Sequence, residues 1–214
     1  MKKNTVMLLI LVLALLVLFA SSHVLAQAKK GAVKSTPKTV DLRLVLRDLW
    51  VGHIFWVRNV VLTTKLADAA AAKTAEEQAL QNAKNIANSI TPYYGKEAAD
   101  KLFNLLAGHY GAIKEYMTAV YAGDKQGADA ARNKLLKNGE EIATFLSSAN
   151  PNWSKEALLS ALAAHAGHHI AQIEAINTKN WPSEAQTCED MKNHIYKIAD
   201  VLADGIVKQF PAKF

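Results

Sequence analysis

The chain has 214 residues, half of them hydrophobic, with 25 basic side chains against 19 acidic ones and a single cysteine. Once a leader is removed, that length suits one domain with a substantial core. The dispersed basic excess, with no arginine cluster, argues against nucleic-acid binding. One cysteine excludes an intramolecular disulfide, an iron–sulfur cluster and any multi-thiolate zinc site, so stability must come from core packing or a bound ligand.

Residues 1–28 read as a secretory signal peptide. Lys2 and Lys3 form a basic start, Val6 to Ala20 is an unbroken apolar run, and Ala26-Gln27-Ala28 is a small-x-small cleavage pattern. The apolar run is shorter than the roughly 20 residues that span a bilayer, so cleavage is expected rather than anchoring. The sequence thus predicts an exported protein, periplasmic or extracellular, that is not an integral membrane protein after cleavage. Residues 29–38 read as a flexible basic lead-in, and residues 39–214 as one helical domain.

From there apolar positions recur every three or four residues, and no useful stretch alternates with period two. Six helices are expected. The first spans about Val40 to Lys73, with a break conceivable near Thr63-Thr64. The second spans Thr74 to Ile90, opened by a Thr74/Glu77 capping box. The third follows Thr91-Pro92-Tyr93-Tyr94-Gly95 and ends near Gly123; the fourth spans about Gln126 to Ser148. Ser154 caps the fifth, which runs to about Asn177. After a break at Trp181-Pro182, Ser183 caps the sixth, which ends before Pro211. The fold class is all-α, an antiparallel bundle in which short connections force neighbours to run antiparallel, with an open solenoid as the alternative.

His53, His109 and His165 are 56 residues apart each time, at the ends of LWVGH, LLAGH and ALAAH. Asn82/Asn138, Ile86/Ile142, Ala87/Ala143, Leu102/Leu158 and Leu106/Leu162 keep the same offset, as do Leu46, Leu49 and Gly52 with Leu102, Leu105 and Gly108. A repeat of this length is one helical hairpin, and three hairpins give six helices.

Imidazole is the commonest protein metal ligand, and each of the three rings is predicted to face the core. His165 and His169 form an i, i+4 pair able to grip one ion from a single helix. The candidate ligands are therefore His53, His109, His165 and His169. The chain lacks the Glu-x-x-His pairs of a carboxylate-bridged di-iron site, which leaves zinc or copper, with haem between two histidines a further option. Trp50 and Trp56, three residues either side of His53, and Arg58 are candidate ligand-binding residues. Arg58 reads more readily as the internal partner of an acid such as Asp200 or Asp204 on the last helix. His194 is expected to pair with Asp190 at the surface, and Cys188 to be buried. Three functions are compatible: a metal or haem binder of the cell envelope, a structural or interaction protein whose histidines only satisfy the core, and a zinc-dependent hydrolase with an open coordination position.

Trp50-x-x-His53-x-x-Trp56-x-Arg58, Tyr93-Tyr94-Gly95, Leu105-Leu106-x-x-His109, Asn150-Pro151-x-Trp153, Leu162-x-x-His165 and Ala199-Asp200 followed by Gly205-Ile206-x-x-Gln209-Phe210-Pro211 occur in this order. In this pattern the chain resembles a family of small bacterial helical proteins, many of them exported, with no established activity. The resemblance implies a helical bundle with His53, His109 and His165 among its signature positions. The chain departs from the pattern at Val57, where a threonine is usual, and in having His168 and His169.

Overall fold

The computed structural model describes residues 33 and 35–214; the expected signal peptide and most of the lead-in lie outside them. Six α-helices follow one another: α1 (Pro37–Lys65), α2 (Ala69–Ser89), α3 (Thr91–Ala122), α4 (Lys125–Ala149), α5 (Lys155–Asn177) and α6 (Trp181–Gln209), with a 3-10 turn over Pro211–Lys213. Among the described residues there is no strand, and no helix is long and apolar enough to cross a membrane.

Each boundary has a local cause. Thr36 caps α1 by accepting from the Thr39 backbone N–H at 3.2 Å while the Thr39 hydroxyl oxygen accepts from the Thr36 N–H at 2.8 Å, and Pro37 supplies a pre-set first helical residue. α1 stops at Lys65 rather than near Lys73. Ala67 takes a left-handed φ of 59°, and Asp68 then caps α2 by accepting from the Ala71 N–H at 2.9 Å. The expected Thr74/Glu77 box does not form: Thr74 lies inside α2 and donates its hydroxyl to the Ala70 carbonyl. Four consecutive alanines after Asp68 carry the helix at minimal cost, so the earlier cap prevails. Trp181-Pro182 likewise belongs to the first turn of α6, because Asn180 caps it by accepting from the Ser183 N–H. In α3 a single turn precedes Gly95, whose φ of 82° sets a kink that only glycine adopts without strain.

With connections this short, successive helices lie antiparallel, and α1 packs against α6 to close the ring; this is a bundle and not a solenoid. α1, α3 and α5 also touch one another across the axis. Three arginine–carboxylate pairs stitch the α1–α6 seam: Arg43–Asp204, Arg47–Asp200 and Arg58–Glu184. One end of the bundle is filled by Val57, Val60, Val61, Ile113, Met117, Leu135, Ile173 and Ile176.

Residues 56 apart make like contacts. Asn82 Nδ2 donates to the Leu49 carbonyl and Asn138 Nδ2 to the Leu105 carbonyl, each at 3.0 Å. A further 56 residues on, His194 Nε2 meets the Ala161 carbonyl at 2.9 Å. The buried sets Leu46/Leu102/Leu158, Ile86/Ile142/Ile198 and Ala87/Ala143/Ala199 share this offset. His194 is thus held by α5 and not by Asp190, which accepts from Gln186 instead. Cys188 is free and half-buried rather than enclosed.

Candidate metal centre

His53 on α1, His109 on α3 and His165 and His169 on α5 converge where these three helices meet across the axis. All four are buried, and one nitrogen from each lies within 4.8 Å of the others. His165 Nε2 is 3.4 Å from His53 Nε2 and 3.1 Å from His169 Nε2. Four nitrogens at tetrahedral corners about 2.05 Å from a zinc ion are about 3.3 Å apart; two of these separations already match, and the rest, at up to 4.8 Å, close by up to about 1.5 Å when an ion draws the rings in.

The fourth ring is oriented by its neighbour. The Asn138 amide nitrogen is committed to the Leu105 carbonyl, so its oxygen faces His109 Nδ1 at 3.1 Å and accepts from it. That places the proton of His109 on Nδ1 and leaves Nε2 as a bare lone pair, buried and without a partner. An outer amide that fixes the tautomer of a ligating imidazole is a usual feature of metal sites. Glycine before the histidine admits these amides: a Cβ at Gly52 would lie 2.8 Å from Asn82 Nδ2, and one at Gly108 3.4 Å from Asn138 Nδ2.

The rings are neutral at pH 7. Burial, and next the proximity of His109, lowers the pKa of His53 to about 3. Burial lowers His109 to about 4 against the opposing Asn138 bond. Burial first, and the other imidazoles second, hold His165 and His169 well below the ordinary 6.5. With no carboxylate in the group, nothing compensates a proton there. Neutral imidazoles facing one another must either share protons or leave lone pairs opposed, and His109 Nε2 and His165 Nδ1 find no partner at all. A cation at the centre would take up the inward lone pairs. Haem does not fit: the four rings crowd one another, with centroids 4.5–6.3 Å apart, so a porphyrin plane between any two of them would overlap the other two.

Trp50 is buried, its ring edge-on to His53 at 6.0 Å. Trp56 packs half-buried against the apolar end of the bundle and against Phe55, away from the four rings. Arg58 pairs with Glu184, at 2.6 and 3.0 Å, and not with Asp200 or Asp204; those acids hold Arg47 and Arg43. Glu184 is buried, accepts also from Gln172 at 3.3 Å, and is kept ionised by Arg58, which lowers its pKa. Sequence reasoning passed over Asn138 as a positioning group. Its signal was its place in the 56-residue offset, on the helix that follows the one bearing His109.

Comparisons with protein-family models, with curated proteins and with solved structures find no match to this chain.

Proposed function

We propose that the protein is an exported, non-enzymatic carrier of one transition-metal ion, zinc or copper, bound by His53, His109, His165 and His169. The observation that carries this reading is the convergence of four buried imidazole nitrogens within 4.8 Å. All-nitrogen coordination suits both metals. Binding is favoured over zinc hydrolysis because four protein ligands close a tetrahedral shell, whereas a catalytic zinc keeps a position for water. Export rests on the leader pattern of residues 1–28, and the contacts recurring at 56-residue offsets support an origin of the bundle in three copies of one hairpin. The test is metal content by mass spectrometry, with an absorption spectrum, on protein purified without an affinity tag. About one zinc or copper ion per chain, lost in the His53→Ala/His109→Ala double variant, is expected. A protein that stays empty after incubation with both metals would sink the proposal and make these histidines structural.

A further inference from the structure

On the other side of the histidine tier the bundle axis is hollow. A cavity of about 250 Å3 lies there, walled by aliphatic side chains from all six helices. Leu46, Leu102 and Leu158 form one tier of its wall; Trp50, Leu106 and Leu162, each three residues before a histidine, form the tier next to the rings. Close-packed interiors hold few voids larger than a water molecule, and an empty one costs stability in proportion to its volume. The leucines and isoleucines that make up most of the wall offer water no partners, so the inner part of the space favours an apolar ligand. A cavity of about 150 Å3 takes benzene, about 25 Å3 per carbon, and by that measure this one takes about ten carbons.

Ser89, Trp153 and His194 in its lining are committed to backbone carbonyls, which leaves two lining residues with a donor to spare. The Trp50 indole N–H is buried without a partner, which is costly unless something accepts from it. Lys197 lines the cavity yet is exposed, and it forms no ion pair among the described residues. Arg43–Asp204 and Arg47–Asp200 fix the register of α1 against α6; three residues further along each helix come Trp50 and Lys197, level with each other on the seam. Ala157, Lys197 and Val201 are both wall and surface, so the cavity reaches solvent between α5 and α6. An N–H and an ammonium together call for an anionic acceptor, and the space behind them calls for a hydrocarbon chain.

We propose that this cavity binds one medium-chain fatty acid, its chain of about ten carbons along the bundle axis and its carboxylate held by the Trp50 N–H and the Lys197 ammonium. Calorimetric titration with decanoate, at concentrations where it remains monomeric, and with decanol tests it. One decanoate is expected per chain, bound more tightly than decanol. Lys197→Gln is expected to weaken decanoate up to about fivefold and Trp50→Phe about tenfold, with decanol little affected by the first. Leu106→Trp fills the cavity and abolishes both. Absence of saturable decanoate binding, uptake of several equivalents, or undiminished affinity in a folded Trp50→Phe/Lys197→Gln double variant would overturn the proposal. If circular dichroism shows Leu106→Trp to be unfolded, that double variant decides.

Discussion

Asn82 and Asn138 offer a controlled comparison, because the two make the same contact with different consequences. Each donates its amide to a carbonyl of the preceding helix at 3.0 Å, but only the Asn138 oxygen holds a ring nitrogen, at 3.1 Å; the Asn82 oxygen is buried without a partner. In the metal-free protein Asn82→Ala should therefore cost about 1 kcal/mol for its one hydrogen bond, and Asn138→Ala about 2 kcal/mol, because the bond to His109 is lost as well. Only Asn138→Ala also frees the His109 ring to rotate and to place its proton on Nε2, the nitrogen needed as ligand. Loss of such an outer-shell partner typically weakens metal binding 10- to 100-fold, about 1.4 to 2.7 kcal/mol. The assay is competition for zinc against a chromophoric chelator, with urea unfolding of the apo-protein alongside. Equal shifts in zinc affinity for the two variants, or no shift in either, would refute the assignment of Asn138 to the site.

Acid should unfold the metal-free protein early. The rings are held below 6.5 in the fold, with His53 at about 3 and His109 at about 4, so the unfolded chain binds protons that the folded one refuses. Stability is then complete above about pH 6.5 and declines as pH falls towards 4, by up to about 1.4 kcal/mol per pH unit for each ring; urea midpoints at pH 7.5 and 5.5 check this, and identical midpoints would contradict it. For the same reason zinc uptake at pH 7 should release almost no protons, so calorimetric enthalpies should agree in buffers of different ionisation enthalpy. His169→Val, which installs the residue found 112 positions earlier at Val57, should leave a folded three-histidine site that still binds zinc, more weakly; complete loss of binding would show that His169 is indispensable. Gly205→Ala should destabilise the fold by about 1–3 kcal/mol, because the new Cβ would collide with Trp153 Nε1, whose N–H donates to the Val201 carbonyl; an unchanged urea midpoint would contradict the packing described.

The helix count and the candidate ligands were legible in the sequence because both rest on spacing: three-and-four periodicity within each helix and 56 residues between the histidines. The end of α1 was not. Asp68 and Thr74 are both competent caps, and only the left-handed turn at Ala67 selects between them. The partner of Arg58 depends on the register of α1 against α6, which no local pattern encodes. Glu184 moreover lies in a first turn of α6 that begins at Trp181, where proline suggested a break. His194 was misread because its residue type hides its correspondence with Asn82 and Asn138. The cavity left no trace in the sequence at all: leucines that line a space and leucines that fill one read alike.

X-ray absorption of the zinc-loaded protein tests the central claim most directly. Four imidazole nitrogens at about 2.0 Å, reduced in number in His109→Ala, is the predicted result. A shell containing oxygen ligands, or one unchanged in that variant, would place the metal elsewhere and contradict the four-histidine centre.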